Sequence, residues 1–220
     1  IRDKKAADNT TNNYVAVTPS FYVRHQINAK MEITAQLRYS LTPPKASTYI
    51  SGLMMTDFRN QCMDTPITEY SDTRSVTMTF KYRNPITSLF FNLTGQYEWS
   101  NNPYMTNQLF MDNYILSTIS PTRNDDHSLI LNGSISKGLM SGRMTIGLDA
   151  GYIQMWDNAM RQNSMSPYML QALNIQPYLK GHFTNWFSAD YRLAYSKKTM
   201  DIEDATSSNY DALKQYLTLT

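Results

Sequence analysis

The sequence predicts an all-β fold, an antiparallel transmembrane β-barrel, and two patterns support this prediction. Apolar and polar residues alternate over long stretches, as they do in outer-membrane barrel strands of roughly 9–11 residues. The connections between these stretches alternate between short and long, which is typical of barrels with tight turns on the periplasmic side. The strands found in this way predict an arc of about eight to nine strands, part of a larger barrel.

The clearest predicted strand is Ser88–Ser100. Leu89 and Leu93 project to one side of it, while Asn92 and Thr94 project to the other, because successive side chains alternate across a strand. The pattern predicts these strands: Tyr14–Val23, Met31–Ser40, Ser75–Tyr82, Ser88–Ser100, Ser128–Ser136, Met144–Trp156, Ala172–Lys180 and Phe187–Ser196. Tyr210–Tyr216 has a faint helical period, and Gln215–Thr220 resembles the start of a ninth strand.

The predicted connections fall into two classes by length. The short ones contain turn formers and are Arg24–Lys30, Arg83–Thr87, Lys137–Arg143 and Gly181–Asn185. The long ones are Leu41–Arg74, Asn101–Asp126, Asp157–Tyr168 and Lys197–Gln215. Loops longer than about 12–15 residues are uncommon in compact soluble domains, so this alternation favours a membrane barrel.

A soluble β-sandwich or barrel would also alternate apolar and polar residues, and it stays open as an alternative. Aromatic residues near the long-loop ends favour the membrane, because such residues gather where a bilayer meets water. The predicted interface aromatics are Tyr39, Tyr97, Trp99, Tyr152 and Tyr195.

Composition sets further bounds. A chain of 220 residues predicts one domain, 1–220, and a net charge of +2 with scattered basic residues gives no reason to expect a nucleic-acid partner. No apolar run is long enough for a membrane-spanning helix. Bacterial barrels have an even strand number, so nine predicted strands indicate a fragment, and we expect its signal peptide and remaining strands to lie elsewhere.

The residues that could perform catalysis are few and scattered. His25 and His182 fall in predicted short turns, and His127 lies beside Ser128, which points to the opposite face of its strand. Cys62 is the single cysteine. We therefore expect no catalytic residues, no metal site and no cofactor.

Several short stretches resemble the barrel portion of Bacteroidetes-type TonB-dependent outer-membrane receptors, the SusC-like transporter superfamily. They are Tyr82–Phe90, Ile135–Gly138, Ile175–Lys180 and Tyr216–Thr220. The resemblance covers the chain from about Asn12 onward, although the family's plug domain and TonB box do not occur in it. It implies energy-coupled import of a nutrient (a glycan, peptide or chelate) across the outer membrane of a Gram-negative bacterium. The implied partners are membrane lipid, a plug, further barrel strands, TonB and a surface lipoprotein.

Candidate substrate contacts come from the long loops and from the polar faces of the strands. Aromatic rings beside amides suit sugars or peptides, and charged groups line a water-filled lumen. These candidates are Tyr49, Tyr104, Arg38, Glu98, Asp149, Asp190 and Arg192. Loop packing or an ordinary polar lumen wall explains the same residues, and an adhesive or structural barrel that transports nothing is the alternative function.

Overall fold

The computed structural model describes residues 16–43, 52–55, 57–64, 69–184, 187–203 and 207–220, and they form one 13-stranded sheet. The strands are β1 (Ser20–Asn28), β2 (Met31–Thr42), β3 (Gly52–Met55), β4 (Asn60–Asp64), β5 (Ser71–Asn84), β6 (Leu89–Asn102), β7 (Met105–Phe110), β8 (Ile115–Ser120), β9 (Asn124–Leu139), β10 (Met144–Arg161), β11 (Ser164–Thr184), β12 (Phe187–Ile202) and β13 (Ser208–Leu219). A short 3-10 turn, Met140–Gly142, precedes β10. The predicted all-β, antiparallel fold is confirmed at this level.

Nine long strands follow one another as an antiparallel meander, in the order β1, β2, β5, β6, β9, β10, β11, β12 and β13. Strands β1 and β13 each pair with one neighbour, so the sheet is open along both edges within the described part of the chain. Because neighbouring strands alternate in direction, the two edge strands run the same way.

The four short strands β3, β4, β7 and β8 form an outer extension of this sheet beyond the loop ends of the long strands. Strands β7 and β8 are a hairpin, β4 pairs with β8 in parallel, and β7 pairs in parallel with the end of β10. The Asn107 side chain donates to Asn163 Oδ1 at 2.6 Å, and Gln162 Nε2 donates to the Phe110 carbonyl at 3.0 Å. Two predicted long loops, Leu41–Arg74 and Asn101–Asp126, therefore contain paired strands.

The prediction of a long loop over Asp157–Tyr168 is wrong. Strands β10 and β11 continue through it and are joined only by Gln162 and Asn163, both with positive φ (50° and 60°). Two successive residues with positive φ are the requirement of a type I′ turn, whose twist matches that of a hairpin. The long hairpin therefore projects beyond its neighbours without an irregular loop.

Other predicted boundaries also shift. Lys197–Gln215 is mostly strand, and Tyr210–Tyr216 lies within β13 and is not helical. The first strand is Ser20–Asn28 instead of Tyr14–Val23, and Tyr14 lies outside the described residues. The reason is a tight turn in which Asn28 Oδ1 accepts hydrogen bonds from the Lys30 and Met31 amides at 2.8 and 2.9 Å.

Very little apolar surface is buried between layers. Met105 and Ala172 are the buried apolar residues of the described chain, whereas Leu37, Met78 and Ile146 are about half exposed, at 49%, 55% and 50%. Every substantial contact between strands joins hydrogen-bonded neighbours. The long strands thus form a single layer with two accessible faces, while a β-sandwich requires two packed sheets.

Candidate functional site: two faces and an aromatic row

Strand register sorts the side chains of the meander into an apolar face and a polar face. One continuous row on the apolar face reads Ile33, Phe80, Leu93, Gly133, Ala150, Ile175, Tyr195 and Leu213. The adjacent row on the polar face reads Thr34, Thr79, Thr94, Asn132, Gly151, Asn174, Ser196 and Ala212. The two rows are one residue apart in every strand, so the separation comes entirely from the period of two.

The polar face carries five of the predicted site residues. Arg38 and Glu98 lie in the same cross-strand row, each opposite Ser75, and both line a groove of about 420 Å³. Asp190 and Arg192 line a groove of about 800 Å³ between β11, β12 and β13. The structure therefore brings four of these five residues together as two pairs and does not gather all five into one site.

Hydrogen bonds and ion pairs satisfy much of this polar face. Arg192 donates to both carboxylate oxygens of Asp190, at 3.2 and 3.0 Å. At the other edge of the sheet, on the same polar face, Arg24 pairs with Glu32 at 2.5 Å. Asp149 makes no ion pair with the described residues but lies close enough to Arg192 for their charges to interact, and it lines a third groove of about 360 Å³ with amide and hydroxyl side chains. This chemistry suits a wetted wall.

The two loop candidates have different outcomes. Tyr104 lies between β6 and β7 and lines a groove at the base of the outer extension, together with Asn124, Asp157 and Tyr168. Tyr49 lies outside the described residues. Tyr104 is thus separate from the five charged candidates on the polar face.

The predicted interface aromatics all lie on the apolar face. Tyr39, Tyr97 and Trp99 lie within five residues of the loop ends of their strands, whereas Tyr152 and Tyr195 lie in the middle of β10 and β12, because these two strands extend beyond the predicted loop borders. Four tyrosines form a regular series on alternate strands of the meander, which we call the tyrosine row. They are Tyr39 on β2, Tyr97 on β6, Tyr152 on β10 and Tyr195 on β12.

Register gives the direction of this row. We call the edge of the meander with the short connections, such as the turn between β5 and β6, its turn end, and the opposite edge its loop end. Tyr39 pairs with Arg74, which pairs with Trp99, and Tyr97 is two residues closer to the turn end than Trp99. Repeating the comparison from Tyr97 to Tyr152, and again from Tyr152 to Tyr195, gives the same displacement of two residues for every two strands. The row therefore descends by one residue per strand relative to the hydrogen-bonding direction.

Each tyrosine is also the ninth residue of its own strand, counted from the turn end. The first residues of these four strands are Met31, Leu89, Met144 and Phe187. The apolar face thus has two parallel borders at constant separation, even though the strands that cross it differ in length.

The polar tips of the row reach toward the loop end. Tyr97 Oη lies 3.4 Å from His127 Nδ1, Tyr152 Oη donates to Gln154 at 2.8 Å, and Tyr195 Oη donates to Asp211 at 3.2 Å. Every partner is two residues nearer the loop end than the tyrosine in register. Aromatic side chains with an apolar body and a wet tip have this orientation at the edge of an apolar layer.

Sequence reasoning missed two parts of this region. The first is Trp156, which shares a row with Trp99 and His127 on the apolar face. The alternation of Met144–Trp156 could have identified it as a further interface aromatic. Sequence reasoning also missed a ladder of Asn and Asp side chains on the polar face, on the loop side of the level of the tyrosine row, with Asn102 donating to Asp126 at 2.9 Å and Asn124 donating to Asp157 at 2.7 Å. Only long-range pairing brings these residues together, so no local pattern identifies them.

Burial shifts two pKa values in this ladder, on the loop side of the tyrosine row. Tyr168 Oη donates to Asp157 at 2.7 Å, and burial together with this bond raises the pKa of Tyr168 to about 12. Burial and the nearby Asp157 charge raise the pKa of Asp126 above its usual value. The ladder therefore favours the protonated forms of both groups.

Comparisons with known proteins give no identification. A scan of the chain against protein-family models finds no match, and no curated protein is significantly similar in sequence. Within the described residues, no helix has the length and apolar character to cross a membrane. No group of three or more His, Cys, Asp or Glu residues in the same part of the chain is placed to hold a metal ion.

Proposed function

We propose that the nine long strands are part of the wall of an outer-membrane β-barrel, with the apolar face toward lipid and the polar face toward an aqueous lumen. The observation that carries this proposal is the tyrosine row. Its displacement of one residue per strand corresponds to about 3.4 Å along a strand for about 4.8 Å between strands. If the row lies parallel to the membrane surface, the strands are tilted by about 35° from the membrane normal, within the range of transmembrane barrels.

The height of the apolar face agrees with this tilt. Nine residues from Met31 to Tyr39, or from Leu89 to Tyr97, span roughly 27 Å along a strand, or roughly 22 Å perpendicular to the membrane at this tilt. The apolar band of outer-membrane barrels is about 25 Å tall. The register and the length of the apolar face thus both support the proposed membrane wall.

We further propose that this wall belongs to a TonB-dependent importer of the SusC-like type, in the outer membrane of a Gram-negative bacterium. The polar face supports passage of a hydrophilic nutrient, because charged and amide side chains line it between β1 and β13. A plug, TonB and a surface lipoprotein would be its partners, as the sequence resemblance implies. Neither a catalytic role nor a cofactor enters this proposal.

A barrel that binds a partner without transport is the second candidate, and the outer extension favours it. Leu53, Met55 and Phe58 are 62%, 69% and 78% exposed, on strands and turns beyond the apolar band. Exposed apolar side chains outside a lipid layer are typical of protein contact surfaces.

Uptake measurements separate the two candidates. Deleting the gene should abolish uptake of one class of nutrient, and collapsing the proton gradient should stop that uptake in cells with the intact gene. An adhesive barrel predicts unchanged uptake of every nutrient and loss of attachment to its partner. Unchanged uptake together with lost attachment would therefore contradict the importer.

A further inference from the structure

Cations border the turn end of the apolar face. Lys30, Arg83, Lys137 and Arg143, here called the basic rim, lie in or beside the turns that join β1 to β2, β5 to β6 and β9 to β10. The backbone amide of Arg83 donates to the Lys30 carbonyl at 2.8 Å, so these two residues are neighbours across strands. Lys137 pairs in register with Leu89 on β6 and with Ile146 on β10, so it lies between Arg83 and Arg143 along the turn end. The rim is therefore one continuous feature.

No carboxylate neutralises the basic rim within the described residues. The ion pairs there join Arg24 to Glu32, Arg74 to Asp72 and Arg192 to Asp190, and none includes a rim residue. Lys30, Arg83 and Arg143 are exposed. Their charges consequently face the surroundings without an internal partner.

The opposite border of the apolar face differs. There Arg74 lies 3.4 Å from Asp72, and Lys197 pairs in register with Asp211. The cations nearest the tyrosine row thus have acidic neighbours. The excess of positive charge belongs to one border only.

The basic rim lies at a defined depth. Lys30 immediately precedes Met31 and Arg143 immediately precedes Met144, and these two residues begin the nine-residue spans that end at Tyr39 and Tyr152. Each rim charge is therefore within about one residue of the last apolar position. In a bilayer that covers the apolar face, this is the level of the lipid headgroups.

We infer that the basic rim binds the phosphate groups of anionic phospholipids in the periplasmic leaflet. The inference rests on the proposed membrane wall and names the lipid class that its turn end selects. Lysine and arginine near a bilayer surface attract anionic headgroups, and salt weakens the attraction. An acidic protein segment is the competing occupant. Lipid is favoured because the four charges share one depth: Lys137 is on the apolar face, and Lys30 and Arg143 lie in turns directly before β2 and β10. Arg83 follows Tyr82 and so lies on the polar side of the same border.

Lipid selectivity tests the inference. The whole protein is reconstituted in phosphatidylcholine bilayers, and its association with spin-labelled phosphatidylglycerol and spin-labelled phosphatidylcholine is compared by electron spin resonance. We expect phosphatidylglycerol to be preferred by about threefold at low salt, with the preference largely lost in 1 M NaCl. Replacing the rim by Lys30→Gln, Arg83→Gln, Lys137→Gln and Arg143→Gln together should abolish it.

The matched comparison is between two variants that each remove two cations. Lys30→Gln with Arg143→Gln in the rim should weaken the preference, whereas the control at the opposite border, Arg74→Gln with Lys197→Gln, should retain it. Equal binding of both lipids by the unmutated protein would overturn the inference and leave the membrane wall intact. Equal loss in the rim and control variants would overturn it as well. If neither labelled lipid is immobilised by the protein, the proposed lipid-facing surface itself fails.

Discussion

Leu93 and Thr94 are neighbours on β6, and their side chains leave the sheet in opposite directions. Leu93 lies between Phe80 and Gly133 in a row of apolar residues, whereas Thr94 lies 3.1 Å from the Thr79 hydroxyl in a row of polar ones. Both faces have the same backbone and the same twist. The comparison teaches that side-chain alternation alone separates an apolar face from a polar one, and that no packed core is needed to keep the two apart.

The largest expected effect comes from placing a charge on the apolar face. Leu93→Arg should lower the free energy of unfolding by about 2–4 kcal/mol, because Leu93 lies near the middle of the proposed bilayer. Leu131 pairs in register with Tyr152 and so lies at the tyrosine row, where Leu131→Arg should cost only about 0–1 kcal/mol. Thr94→Arg, one residue from Leu93 on the polar face, should have a far smaller effect than Leu93→Arg. Urea unfolding in lipid bilayers measures these losses, and equal losses at Leu93 and Thr94 would contradict the assignment of lipid to one side.

A smaller effect is expected in the Asn and Asp ladder on the polar face. Tyr168→Phe removes the hydrogen bond to Asp157 and should cost about 1 kcal/mol of unfolding free energy. Because the folded-state pKa of Tyr168 is raised to about 12, its stabilising contribution is lost as the pH rises through that value. Tyrosinate absorbance should show one fewer group titrating near pH 12 in the variant, and no difference between the two proteins would refute the bond.

The raised pKa of the Asp126 carboxyl predicts a second pH dependence of the free energy of unfolding. Its pKa is raised in the folded state, so its protonated form stabilises the fold at acid pH, and that contribution is lost as the pH rises through the folded pKa. Asp126→Asn should therefore be more stable than the unmutated protein at neutral pH, with the difference shrinking on acidification. Asp125→Asn is the matched neutralisation at the adjacent position. The same pH-dependent gain in both variants would show that Asp126 has no special role.

The smallest effect is expected at the ion pair between Arg24 and Glu32 on the polar face. Glu32→Gln breaks the 2.5 Å pair with Arg24, whose side chain is 60% exposed, so the loss should be within about 1 kcal/mol. Increasing the salt concentration should weaken the unmutated protein slightly and the variant less. A loss as large as that of Leu93→Arg would mean that this face is dry.

Much of the meander was predictable from alternation, because a period of two marks both a strand and its faces. Met31–Ser40 and Ser88–Ser100 fall within two residues of β2 and β6. The outer extension was not predictable. The parallel pairing of β4 with β8 joins residues more than fifty positions apart, and a short alternating segment does not specify a distant partner.

The β10–β11 turn and the slope of the tyrosine row could not be predicted from local sequence either. Gln162 and Asn163 adopt positive φ without a glycine, so the tight turn of the β10–β11 hairpin had no strong local signal. For the candidate site, the charged residues from Arg38 to Arg192 were placed on the polar face by alternation, and Tyr104 was not separable from them in sequence. The slope of the tyrosine row exists only in the register between strands.

Site-directed spin labelling along β6 tests the central claim most directly. Single cysteines at positions 89–99, introduced with Cys62→Ser, would carry a nitroxide whose collisions with oxygen and with a water-soluble nickel complex are measured in bilayers. We predict that oxygen accessibility peaks at every odd position from Leu89 to Tyr97, while nickel accessibility peaks at the even positions between them. Equal access of the nickel complex to both sets would contradict a sheet with lipid on one side and water on the other.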